Sequence, residues 1–217
     1  MGHVHEGQYP PGQMSTMPVA GRGAARPSAE ALAALVPWVE SHGIAVGFVE
    51  DELTSTGRFF GTSIALNRRY DTLTQTFTLA HTFGHCVQWA VDFERCCRLY
   101  AAVADARAAG GAALDDAMRD FSRYETEATE YGLTALAATG SVVLAPAFCL
   151  FSAADIEAVL IFHRTGASPA WSEFFPAWAQ RTVEAGVAFP SFQARPIPAF
   201  RPVRVPERNV IRSVEAT

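Results

Sequence analysis

Lysine is absent from this chain of 217 residues, and all 17 basic residues are arginine. That removes Schiff-base catalysis, a lysine general base and the phosphate-binding lysine of a P-loop. Charge is thin altogether, at 18% against the roughly 25% usual in soluble domains. The small acidic excess, a net charge of −5, gives no electrostatic footprint for nucleic acid or an anionic membrane. Cysteine is scarce too. Cys86, Cys96, Cys97 and Cys149 contain no C-x-x-C pair, which argues against a thiolate zinc knuckle and for reduced, buried small residues. There is no G-x-S-x-G elbow for a serine nucleophile. Cys86 follows His85 directly, and helical neighbours diverge by about 100°, so the two form no dyad. The N-terminus lacks an apolar signal core. The longest nearly apolar run, Val142 to Phe151, contains Pro146 and is too short to span a bilayer. A cytoplasmic protein without a membrane segment is expected.

What the chain does have is apolar residue, 49% of it, enough for one domain with a proper core. Residues 1–27 are rich in Gly, Pro, Ser and Met without periodicity and read as a disordered leader; His3 and His5 there are incidental. The domain is expected over 28–192, with Ser28 capping a first helix whose stripe is Leu32, Leu35, Val36 and Val39 and which Pro37 kinks or shortens. Residues 44–50, 57–60 and 63–67 read as strands of a small antiparallel sheet with a tight turn at Gly61-Thr62. A helix capped by Asp71 or Thr72 follows, with the stripe Leu73, Phe77, Ala80, Gly84, Val87 and Val91. Further helical stretches run over 93–109, 114–138 (with a restart at the capping box Ser122 to Glu125), 152–164 and 169–185. Residues 193–217 carry four prolines among five arginines and read as an extended arm. The fold class is α+β, mostly helical.

The chemistry is concentrated in Thr78-Leu79-Ala80-His81-Thr82-Phe83-Gly84-His85. Histidines one helical turn apart leave the same face, the geometry that lets two nitrogens share one zinc ion. The peptidase motif H-E-x-x-H has a glutamate after the first histidine; here that place is Thr82. Zinc needs a third protein ligand. Glu127, within Glu125-Thr126-Glu127-Ala128-Thr129-Glu130, is the best placed, and Asp92, Glu94, Glu125, Glu130 and His163 compete. Gly84, Ala128 and Gly132 are small at helical spacing and permit close helix approach. The opposing reading is a pair of core histidines hydrogen-bonded in place, with no metal at all.

The stretch Gly57-Arg58-Phe59-Phe60-Gly61-Thr62-Ser63-Ile64-Ala65-Leu66-Asn67, then Phe77-Thr78-Leu79-Ala80-His81-Thr82-Phe83-Gly84-His85, resembles the ImmA/IrrE-type zinc metallopeptidase family. The likeness covers roughly 44–136. It implies a minimal zincin-like domain, Zn²⁺ as cofactor, and His81, His85 and Glu127 as ligands, the last through the family's E-x-E-A segment. The family's catalytic glutamate is Thr82, an alcohol that cannot take a proton from zinc-bound water near neutral pH; general-base assistance is worth about 10² to 10⁴ in rate. The implied function is therefore a zinc metallopeptidase-like protein with impaired or absent peptidase activity, unless Glu125 or Glu130 substitutes as base. The alternative is a non-catalytic module that binds a protein partner or regulates transcription. A protein substrate or regulatory partner is the expected company in either case.

Overall fold

The computed structural model describes residues 25–50, 55–185 and 191–206. The leader before residue 25, including His3 and His5, and the arm after 206 lie outside the described residues. Six α-helices and one three-stranded sheet are described: α1 (Ala25–Glu40), β1 (Ala45–Val49), β2 (Gly57–Phe59), β3 (Ser63–Asn67), α2 (Thr72–Val91), α3 (Phe93–Ala109), α4 (Gly111–Ala138), α5 (Ala145–Thr165) and α6 (Trp171–Glu184). The class is α+β and mostly helical, as expected.

The centre of the molecule is α2. Asp71 caps it, its carboxylate accepting from the Thr74 amide at 2.7 Å. Every residue from Thr76 to Trp89 is buried. A helix covered on all sides must be wrapped by other elements: α1, α4, α5 and the sheet do this. Asp92 ends α2 and also caps α3, accepting from the Arg95 amide at 3.0 Å.

The closest helix pair is α2 with α4. A β-carbon on Gly84 would collide with the Ala128 backbone, and one on Gly132 would meet the Ala80 carbonyl at 2.8 Å. These two contacts fix which face of α4 looks at α2. Residues Phe121, Tyr124, Glu125, Ala128, Thr129 and Gly132 are buried along it.

Four expectations change. The sheet is mixed, not antiparallel: its order is β1-β3-β2, with β1 parallel to β3 and β2 antiparallel to it. Strand β3 carries the fully buried Ile64 and Leu66, so it takes the middle. Helix α1 starts at Ala25, with Ser28 buried inside it and its carbonyl accepting from Thr76 Oγ1, and it runs through Pro37. Helix α4 is continuous through Ser122, because the Glu125 carboxylate is drawn to α2 and does not reach back as a capping box requires. Helix α5 begins at Ala145, seven residues before the expected Ser152. With the turn ahead of it, it forms a stretch over 142–165 long and apolar enough to cross a membrane, a test that core helices also pass.

The described part of the C-terminal segment, 191–206, is extended and lies against its own domain. The Arg195 amide donates to the Glu130 carbonyl at 3.1 Å, and the Val205 amide to the Phe60 carbonyl at 3.0 Å. Gly61, at φ +81°, sits where that segment crosses the β2–β3 turn; any side chain there would strike Val203.

Candidate metal centre

Helix α2 presents His81 and His85 from successive turns, their rings perpendicular and their centroids 4.7 Å apart. Phe59 of β2 stacks on one face of the His85 ring at 4.8 Å and Tyr124 of α4 on the other at 4.9 Å. Both histidines are 4% exposed. Glu125, at 1%, reaches in from α4.

The three donor atoms form a nearly equilateral triangle. His81 Nε2 and His85 Nε2 are 3.1 Å apart, and Glu125 Oε2 lies 3.0 Å from the first and 3.2 Å from the second. A tetrahedral ion with bonds near 2.0 Å holds its ligands about 3.3 Å apart. The buried His81, His85 and Glu125 group could hold a metal ion.

The far nitrogens set the tautomers. His85 Nδ1 is 2.9 Å from Gln88 Oε1, while Gln88 Nε2 donates to the Tyr124 carbonyl at 2.7 Å and to Glu127 Oε2 at 2.9 Å. With its amide nitrogen so used, Gln88 offers His85 an acceptor, so His85 Nδ1 carries the hydrogen. Thr129 Oγ1 donates to the Glu125 carbonyl at 3.1 Å and lies 3.2 Å from His81 Nδ1, which gives His81 the same tautomer. Both Nε2 atoms then present lone pairs to a shared point and to a carboxylate. Three acceptors that close together demand an electropositive centre between them, a metal or a proton.

Electrostatics agree. Burial by itself would raise the Glu125 carboxyl, but His85 and His81 outweigh it and hold the group well below the usual carboxylate range. Burial lowers His81, and the hydrogen bond to Glu125 with the charges of Asp155 and Glu125 more than reverses this. Glu125 Oε1 has no hydrogen-bond partner among the described residues.

The triad forms the floor of a cavity of about 140 Å³ walled by Arg58 and Phe59 of β2, Phe151, Asp155 and Phe162 of α5, and Trp171 of α6.

No protein-family model, curated protein or solved structure matches this chain.

The expected site residues fall in different places. His81 and His85 stand together as read. Glu127 does not join them: it accepts from Gln88, from Arg95 at 2.9 Å and from Arg195. On a helix, Glu125 is three residues before Ala128 and shares its face, whereas Glu127 is turned about 100° away. The carboxylate that stands with the two histidines is therefore Glu125. Glu130 pairs with Arg195 at 3.1 Å on the other side of α4. Asp92 is a helix cap, Glu94 pairs with Arg98, and His163 packs on Phe121, where burial drives its pKa down to about 4. Thr82 borders the cavity with its hydroxyl donating to the Thr78 carbonyl at 2.6 Å.

Asp155 was missed. Its Oδ2 lies 3.6 Å from His81 Nε2. The available signal was an acid on the otherwise apolar stripe Phe151, Asp155, Ala158, Phe162 of α5, where an unpaired charge is costly.

Proposed function

We propose that this chain is a zinc-binding, metallopeptidase-like protein. His81, His85 and Glu125 hold the ion, and peptidase activity is impaired or absent because Thr82 occupies the place of the motif's glutamate. The observation that carries this reading is the convergence of two Nε2 lone pairs and a buried carboxylate oxygen within 3.0–3.2 Å of one another. Two histidines and a glutamate are the donor set of a hydrolytic zinc site that leaves room for water. Zinc so bound polarises a carbonyl and lowers the pKa of its water toward about 7. The cavity over the triad gives a substrate room to approach.

A second reading has its own support. The Thr82 hydroxyl is committed to the Thr78 carbonyl, so the motif position supplies no proton acceptor. On that reading the protein is a non-catalytic module that keeps the zinc while binding a protein partner or regulating transcription.

Metal analysis of the purified protein tests both: one zinc per chain is expected, lost in His81→Ala. A protein that binds no metal, even when zinc is supplied, overturns both and leaves a pair of core histidines. Peptidase assays on wild type and Thr82→Glu then separate the two. Activity gained only in the variant favours the non-catalytic module.

A further inference from the structure

The geometry points to Asp155 as the general base for the residual hydrolysis of this centre, acting from α5 across the cavity because Thr82 supplies none. The inference rests on the metal-centre reading above. Four observations carry it.

The carboxylate is close: Asp155 Oδ2 is 3.6 Å from His81 Nε2. It is also outside the triad, for among the described residues the donors that lie within 4.8 Å of one another are His81, His85 and Glu125. Asp155 therefore stands beside His81 and outside the three-donor group. Third, it faces the space where substrate must enter, since it lines the same cavity as Thr82 and the triad. Its side chain is 23% exposed, against 5% for His81 and 1% for Glu125, so water reaches it. Fourth, Asp155 lies on the stripe of α5 that carries Phe151, Ala158 and Phe162, an unusual place for a carboxylate.

The step balances simply. Asp155 takes one proton from a water in the cavity. The water oxygen bonds to the scissile carbonyl carbon, the carbon–nitrogen bond breaks, and the proton passes from Asp155 to the departing nitrogen. A base needs only to reach its proton directly or through one water, and no fixed position on α2 is required.

The test uses zinc-loaded full-length protein with two readouts. The first is zinc affinity, by competition with a chelator. The second is hydrolysis of 4-nitrophenyl acetate, an activated ester that needs no peptide recognition and whose leaving phenolate needs no proton. Asp155→Asn, which keeps the side chain's shape, should hold one zinc with affinity within about threefold of wild type and lose about 10²-fold in rate. Thr82→Glu in the Asp155→Asn background should recover at least a tenth of the wild-type rate.

The inference is overturned if Asp155→Asn hydrolyses the ester like wild type, or if zinc-loaded wild type is no faster than the zinc-free protein. It is overturned equally if Asp155→Asn loses zinc 100-fold, for Asp155 would then be a fourth ligand closing the site. If wild type binds no zinc, it is the metal-centre reading itself that fails.

Discussion

Gly84 and Ala128 meet backbone to backbone. The space where a Gly84 side chain would stand is filled by the Ala128 carbonyl, and the approach of α4 that results brings Glu125, one turn earlier, to within 3.0 Å of His81. Gly84→Ala should therefore act twice. Forcing the helices apart costs about 1–3 kcal/mol as overpacking, read as a lower Tm of the metal-free protein. It should also weaken zinc binding, because the carboxylate retreats from the imidazoles.

The two glutamates of α4 should separate in a metal titration. Glu125→Gln removes the anionic donor and is expected to abolish stoichiometric zinc. Glu127→Gln leaves all three donors in place and disturbs the Gln88 amide that orients His85, along with the Arg95 and Arg195 pairs away from the triad. Outer partners of this kind typically affect metal affinity by 10- to 100-fold, and the lower end is expected here. Equal losses in the two variants would contradict the assignment.

Gln88→Leu removes the acceptor for His85 Nδ1 and the donor to the Tyr124 carbonyl. Zinc affinity should fall by 10- to 100-fold while the protein stays folded. Circular dichroism beside the titration checks both halves. Gln88→Glu keeps an acceptor for the imidazole and should bind better than Gln88→Leu.

Metal and proton compete for His81, and the sign of the pH dependence follows. In the metal-free fold His81 is raised above its ordinary value of 6.5. Its pairing with Glu125 therefore contributes stability in full below about pH 6.5 and loses it as pH rises through the raised value. Zinc needs the deprotonated ring, so its binding strengthens over the same interval. The gap in Tm between zinc-loaded and metal-free protein should widen as pH rises above 6.5. A gap that narrows would exclude coordination by His81.

The sequence by itself determined which elements form and which of them carry chemistry. Four-residue spacing put His81 and His85 on one turn of a helix; Asp71 placed its start; glycine and alanine at 84, 128 and 132 marked a close helix contact. Those are local properties, written in neighbouring residues. That contact even held the answer to which acid joins the two histidines, since Glu125 shares the face of Ala128 and Glu127 does not, but the direction in which a helix is turned is settled only when its partner is in place. The strand order was likewise beyond reach, because alternation shows that a strand is half-buried and not which neighbour it takes. Asp155, seventy residues from His85 along the chain, meets the triad only through the packing of α5, and no spacing rule links residues so far apart. Tertiary structure decided which acids face the imidazoles, because that choice depends on the rotation of whole helices about their axes, and only long-range packing fixes it.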